Sequence, residues 1–134
     1  MRIGIVGSRR RDTVGDKELI KRYVISQSHI ITTPENTIGY VSGGCKQGAD
    51  KFIKEICEEL HYNLKEFLPI FPTDKELTYS DRVKAYYSRN KQIADYVDKL
   101  VVLRAPDHKG GTENTIKYFL ERKKKEPRLE LIEL

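Results

Sequence analysis

Glycine pairs stand where apolar runs give way to helix-spaced residues, and this punctuation constrains the chain more than any other feature. Ile38 to Val41 is a short apolar run. It leads into Ser42-Gly43-Gly44-Cys45-Lys46-Gln47-Gly48-Ala49-Asp50, after which Phe52, Ile53, Ile56, Cys57 and Leu60 recur at helical spacing. The pattern reads as strand, glycine turn, helix. Gly43 and Gly44 permit positive φ and close backbone approach. The helix that follows offers unpaired N–H groups and the positive end of its dipole, so the turn suits an anion, most often a phosphate. One such turn is equally a plain connection between a strand and a helix. Two further turns of related design strengthen the phosphate reading.

Strands and helices alternate along the rest of the chain. Arg2 to Val6 reads as a buried strand, with Gly7-Ser8-Arg9-Arg10-Arg11-Asp12 as its turn. Leu19, Ile20, Tyr23 and Val24 mark the first helix, with Asp16 near its start, and Thr32 to Asn36 is a loop containing Pro34. The second strand is Ile38 to Val41, and the helix after it runs to about Leu60. Leu64 to Leu68 is the third strand, closed by Pro69. Pro69 to Ser80 is irregular, and Thr73-Asp74-Lys75-Glu76 matches a capping box around a short helical turn. The third helix carries Val83, Tyr86, Tyr87, Asn90, Ile93, Ala94 and Val97 on one side. Lys99 to Leu103 is the fourth strand, and the helix beyond its turn points Ile116, Phe119 and Leu120 inward. Pro127 ends that helix, and Leu129 to Leu134 is a last strand at a sheet edge.

Each crossover contains a helix, so the strands should run parallel with right-handed connections. The expected fold is α/β: a three-layer α/β/α sandwich with a Rossmann-like parallel sheet of about five strands. A chain of 134 residues fits one domain, here residues 1–134. No apolar run approaches the roughly 20 residues of a membrane span, and no membrane partner is expected. The opening Met1-Arg2-Ile3-Gly4-Ile5-Val6 lacks a signal-peptide layout, and Cys45 and Cys57 form no disulfide framework. A cytoplasmic protein with reduced thiols is the expectation. Net charge is +5, which favours anionic ligands without choosing among them.

In a sheet of this kind ligands bind beyond the carboxyl ends of the strands, where strand order reverses. Three turns leave strands at that end: 7–12, 42–48 and 106–112, the last running into Gly110-Gly111-Thr112-Glu113-Asn114-Thr115. Neither GxGxxG nor GxxxxGK[ST] is present, which weakens dinucleotide-dehydrogenase and P-loop readings. Candidate ligand contacts are Gly7, Ser8, Arg9, Ser42, Gly43, Gly44, Lys46, Gly48, Gly110, Gly111 and Thr112. Arg9, Arg10 and Lys46 can add charge-assisted contacts to a phosphate, whereas Arg11 reads better as a solvated turn residue. Thr112 either caps its helix or touches the ligand, and capping is the simpler reading. Asp50 can complement the helix dipole, and Cys45 reads as a small inert residue. The run Arg122 to Lys125 suits a solvated helix C-terminus. His29, His61 and His108 show no ligand spacing with one another or with the cysteines, so neither metal nor cofactor is expected.

Arg89 and Asn90 complete the candidate set. Asn90 lies on the apolar side of its helix, where an unpaired amide costs about 1–3 kcal/mol. It should tie the helix to a glycine turn. Arg89 lies about 100° round the helix, placed to reach a phosphate or sugar and to matter for ligand more than for folding. Tyr86, Tyr87 and Tyr96 spread round the helix more widely than one sheet can cover, which suggests a homodimer or higher homo-oligomer.

Taken together, Gly7-Ser8-Arg9, Ser42-Gly43-Gly44 through Gly48-Ala49-Asp50, Arg89-Asn90 and Gly110-Gly111-Thr112 resemble the SLOG superfamily. This is the Rossmann-like group that includes the Smf/DprA and LOG proteins, and the likeness is nearest to its small stand-alone members. It covers Ile3 to about Leu120. The resemblance implies a nucleotide or nucleotide-derived small molecule held across the three turns. LOG enzymes cleave the N-glycosidic bond of nucleoside monophosphates with an arginine and a glutamate beside a GGxGT turn. Arg89 matches that arginine. Asn114 stands where the glutamate is expected, and Glu113 is one residue early, about 100° away on a helix.

The leading expectation is therefore a binding module or sensor for a nucleotide-like ligand. Second is a phosphoribohydrolase or deoxyribosyltransferase using Arg89 with Glu113 or Asp50 as catalytic groups. Third is a single-stranded nucleic-acid binder, for which the sequence displays no aromatic stacking platform.

Overall fold

The computed structural model describes residues 1–28 and 37–134, so the loop expected at Thr32 to Asn36 and His29 lie outside the described residues. The elements are β1 (Arg2–Gly7), α1 (Val14–Ser28), β2 (Gly39–Ser42), α2 (Ala49–Leu60), β3 (Leu64–Glu66), α3 (Tyr79–Tyr96), β4 (Lys99–Leu103), α4 (Gly111–Lys125) and β5 (Glu130–Glu133). The five strands form one sheet in the order β3-β2-β1-β4-β5, with every neighbouring pair parallel. The chain starts in the middle of the sheet and winds outward through α1 and α2. Helix α3 then carries it back past β1 to β4, so strand order reverses between β1 and β4.

Period-2 alternation sorts the strand side chains into two cores. Ile3, Ile5, Val101 and Leu103 face α1 and α2, where they meet Ile20, Val24, Phe52, Ile53 and Ile56. Val6, Leu100 and Val102 face α3 and α4, against Ile93, Ala94, Val97, Ile116 and Phe119. Burial on both faces is what a parallel sheet requires of its central strands. The α/β/α sandwich expected from the sequence is thus the observed one. Among the described residues no helix is long and apolar enough to cross a membrane.

Four local expectations need correction. Strand β3 stops at Glu66, because its last pairing partner is Ser42 at the end of β2. Leu68 beyond it is 59% exposed. Leu120 is also exposed, since the buried stripe of α4 is Thr112, Thr115, Ile116 and Phe119 and Leu120 falls at its margin. The capping box is not at Thr73. It sits at Thr78, whose Oγ1 accepts from Asp81 N–H at 3.1 Å while the Asp81 carboxylate accepts from Thr78 N–H at 3.0 Å. Helix α3 therefore begins at Tyr79, a full turn before Val83. Arg122, finally, is no solvated end residue. Its Nη1 donates to the Ala94 and Val97 carbonyls at 2.9 and 2.8 Å, closing the C-terminus of α3 against α4.

The tyrosines of α3 find most of their cover within the chain. Tyr86 meets Phe71 edge-on at 5.7 Å, and Tyr96 meets Phe67 at 5.4 Å with the Arg2 guanidinium 4.4 Å from its ring. Of the three, Tyr87 alone is exposed.

The Thr78 cap sets a stability test. Thr78→Ala should cost about 1 kcal/mol (about 0.5–2) in chemical denaturation at neutral pH. The N–H of Thr78, with Lys75 next, holds the Asp81 carboxyl down to about 2 from the usual 3.8. A depressed carboxyl pKa stabilises above the unfolded value and loses that contribution as pH falls through the folded one. The stability that the Asp81 carboxylate adds, read as wild type against Asp81→Asn, should shrink between about pH 4 and pH 2.

Candidate ligand-binding cleft

The reversal between β1 and β4 opens a cleft of about 960 Å³ at the carboxyl edge of the sheet. The ladder continues past the strands through Ser8 N–H to the Leu103 carbonyl at 2.9 Å, which sets the turn after β1 directly beside the end of β4. The cleft is walled by residues 7–10, by residues 107–112 and by the N-terminal half of α3. Of the residues singled out in the sequence, Gly7, Ser8, Arg9, Gly43, Asp50, Arg89, Asn90, Gly110, Gly111 and Thr112 line it. Ser42, Gly44, Lys46, Gly48 and Glu113 do not.

The middle glycine turn is closed on itself. Asp50 accepts from the backbone N–H groups of Cys45, at 3.1 Å, and of Gly43. Gly44 N–H reaches Ser42 Oγ at 3.4 Å. Gly48 N–H donates to Asp12 at 2.9 Å, and Lys51 neutralises that carboxylate at 2.7 Å. The N–H groups of the turn glycines and of Cys45 are therefore occupied by side chains of the protein, and Ala49, which opens the helix, does not line the cleft. Close approach is what the glycines provide. At Gly48, φ is 70°, and a Cβ would stand 2.8 Å from the Ser8 carbonyl oxygen. A Cβ on Gly43 would stand 2.6 Å from Arg89 Nη1.

Arg89 and Asn90 form a buried knot beneath the cleft, 9% and 6% exposed. Arg89 Nη1 donates to the Gly43 carbonyl at 2.5 Å and, more weakly, to the Phe67 carbonyl at 3.5 Å. Its Nε donates to Asn90 Oδ1 at 3.0 Å. Asn90 Nδ2 then donates to the Gly111 carbonyl at 3.3 Å and to Asn114 Oδ1 at 3.2 Å. Asn90 ties α3 to the Gly110-Gly111 turn, the geometry expected for it. Arg89 departs from expectation: it anchors α3 to the middle turn and is not a surface arm. Burial pulls its pKa below the usual guanidinium value, against the attraction of Asp50. Burial pushes the Asp50 carboxyl up, against the Cys45 and Gly43 N–H groups and Arg89.

The turn after β4 is built differently. Gly110, not Thr112, occupies the N-cap of α4, and no side chain caps the helix. Among the described residues, the N–H groups of Gly110, Gly111 and Thr112 have no acceptor, nor does that of Arg9 across the cleft. Glu113 N–H is satisfied by the Gly110 carbonyl at 3.3 Å. The Glu113 side chain lies outside the cleft, paired with both Nε and Nη2 of Arg104, and that guanidinium holds its carboxyl below the usual range. Asn114, at the position of the expected glutamate, is held by Asn90.

Cations dominate the lining. Arg9, Arg10, Arg82, Arg89 and Lys109 face two acids, Asp50 and Asp107. Arg10 grips Asp107 through two bonds of 2.8 and 2.6 Å and also donates to the Lys109 carbonyl at 3.0 Å, so the turns after β1 and β4 are clamped together. Among the described residues no carboxylate lies within salt-bridge distance of Arg9, Arg82 or Lys109. Cys45 and then Tyr86 hold the Arg9 guanidinium above its usual pKa. Among the described residues no group of His, Cys, Asp or Glu is arranged to hold a metal ion.

Sequence reasoning passed over Tyr79, Arg82, Asp107, Lys109 and the Asp12 anchor. Thr78-Tyr79-Ser80-Asp81 was the available signal for the first two, because a cap at Thr78 puts Tyr79 and Arg82 on the same helix side as Tyr86 and Asn90. The fold and its cleft define an open, doubly wound α/β protein with a cation-lined crevice at the switch point. The chain matches no protein-family model, no curated protein and no solved structure.

Two variants report on the knot. Arg89→Met should destabilise the ligand-free protein by about 1.5–3 kcal/mol, since a charged donor leaves the Gly43 carbonyl without its partner. Arg89→Lys should not restore this, because an ammonium cannot serve the Gly43 and Asn90 acceptors as the planar fork does. Urea denaturation of the three proteins measures both effects.

Proposed function

We propose that the protein binds a nucleotide-derived anion in this cleft, as a binding module or sensor of the SLOG type that its motifs resemble. The observation that carries the reading is the set of donors left open on both sides of one crevice. These are the N–H groups of Arg9, Gly110, Gly111 and Thr112, together with the Arg82 guanidinium and the Lys109 ammonium, while the Arg9 guanidinium meets Cys45 and Tyr86 but no carboxylate. Open N–H groups at a helix N-terminus favour a phosphate, and unpaired cations beside them add charge-assisted contacts. On this reading the phosphate lies on the Gly110-Gly111-Thr112 turn, and the 42–48 turn serves as scaffold.

A second reading is scission of an N-glycosidic bond in a nucleoside monophosphate, with Arg89 and Asp50 at the reacting end. One observation favours it: Asp50 is a carboxylate on the cleft wall whose pKa is raised by burial. Incubation with nucleoside monophosphates and chromatography for free base decides between the two. Release of base would move the protein from sensor to enzyme.

Titration calorimetry over nucleoside mono- and diphosphates tests the binding reading. At least one should bind with Kd below about 1 mM and weaken as salt rises. Gly111→Pro deletes one of the open N–H groups at the first helical position, where proline is tolerated. It should weaken the best binder about tenfold while the melting temperature holds. Undiminished affinity in Gly111→Pro would move the phosphate off this turn.

A further inference from the structure

The cleft is longer than one nucleotide needs, and its outer half carries chemistry of its own. Along α3 the side chains that line it are Tyr79, Arg82, Val83, Tyr86, Tyr87 and Asn90, a single stripe at helical spacing. From Asn90, bonded to the Gly111 turn, to Tyr79 the stripe covers about three turns, roughly 16 Å. A volume of about 960 Å³ falls near the upper end of the range for small-molecule sites, about 300–1,000 Å³.

The rings in the stripe are not equivalent. Tyr86 is committed, edge-on to Phe71, with the Arg9 and Arg89 guanidinium groups 5.8 and 5.7 Å from its ring centre. Tyr79 and Tyr87 are 85% and 46% exposed, and among the described residues neither has a ring partner. Arg82, between them in sequence, has no acidic partner among the described residues. The Thr78–Asp81 capping box fixes this helix end, so the rings stand on a rigid element. Open aromatic faces beside an unpaired arginine, on a rigid support, are what a stacked base with a neighbouring phosphate needs.

We propose that the outer half of the cleft is a second ring-binding subsite, formed by Tyr79, Arg82 and Tyr87. The ligand then carries two nucleobase-like rings joined through phosphates, the chemistry of a dinucleoside polyphosphate. This rests on the phosphate reading above and adds the second ring. Arg9 and Lys109 face the bridging phosphates, and Arg82 the outer one.

The test compares ligands of nearly equal charge on the full chain: ADP against diadenosine triphosphate, and GDP against diguanosine triphosphate. Calorimetry should show one dinucleotide binding about 5- to 100-fold tighter than its diphosphate, the gain of one stacked base. The Tyr79→Ala/Tyr87→Ala double variant should narrow that preference to within about twofold. The Tyr79→Phe/Tyr87→Phe variant should keep it, because the ring faces remain. Both positions are exposed, so the melting temperatures should match wild type. Equal affinity within both pairs, or a preference that survives the double alanine variant, overturns the second subsite. Diphosphate binding without preference would do so while leaving the phosphate reading intact, whereas failure of all four ligands sinks both. A short oligo-dT strand that binds more tightly than either dinucleotide, and is lost in the double alanine variant, would replace the small ligand with single-stranded nucleic acid.

Discussion

One buried guanidinium holds the cleft edge of this protein together. Arg89 stands 9% exposed beneath the cleft and uses its fork on neutral acceptors, the Gly43 and Phe67 carbonyls and Asn90 Oδ1. A charge removed from water at such a place is costly unless hydrogen bonds replace its hydration. The arrangement is therefore exacting: each acceptor must be where the fork needs it. Through those bonds α3 is locked to the ends of β2 and β3, and through Asn90 it is locked to α4. Gly43 is the counterpart of this constraint, since a Cβ there would stand 2.6 Å from Arg89 Nη1, inside contact distance. The helix that walls the cleft and the turn that floors it are thus fixed by one side chain.

The turns after β2 and β4 look alike in sequence and do different work. Both α2 and α4 have a glycine N-cap without a side-chain cap. What separates them is where the donors go. Asp50, Ser42 and Asp12 take the N–H groups of Gly43, Gly44, Cys45 and Gly48, so the glycines of the middle turn are closed to a ligand. Beside Gly110-Gly111-Thr112, Asp107 and Glu113 are held by Arg10 and Arg104, and among the described residues the N–H groups have no acceptor. Attraction of an anion to a helix start depends on unpaired donors as well as on the dipole. Among the described residues both helix starts keep open donors, but Gly110, Gly111 and Thr112 line the cleft whereas Lys46, Gln47 and Ala49 do not.

Much of this was legible in the sequence, for physical reasons. Five strands alternating with four helices leave few arrangements once crossovers must be right-handed, and the short apolar runs at Ile3–Val6 and Lys99–Leu103 fall where the strands are. Asn90 could be read because a polar amide on an apolar stripe needs partners, and the glycine turns were the nearest supply. Arg89 was misread because its angular position on the helix is ambiguous. At about 100° from Asn90 it can point to solvent or fold under the turn, and only the space left by Gly43 decides. One part of the closure of the 42–48 turn, Asp12 to Gly48, is a long-range contact that no local pattern encodes, whereas the Asp50 part lies within the stretch, where that residue reads as complementing the helix dipole. The outer wall was lost through one capping error, since Thr73 and Thr78 both begin plausible boxes and only Thr78 is used.

The same accounting of partners weighs binding against chemistry. A general acid or base must come within about 2.6–3.2 Å of the proton it moves, or reach it through one water, with a site on its carboxylate free to do so. Glu113 is held by Arg104 outside the cleft, and Asp107 is held in both oxygens by Arg10. Asp50 remains, but it accepts from Gly43 and Cys45 N–H groups, and those bonds keep the middle turn closed around Arg89. Protonating or displacing Asp50 would loosen the turn that Arg89 needs. A carboxylate that works as a structural strut is poorly placed to cycle its proton. Open N–H groups and unpaired cations need no such cycling to hold an anion, and they are what this cleft has in excess.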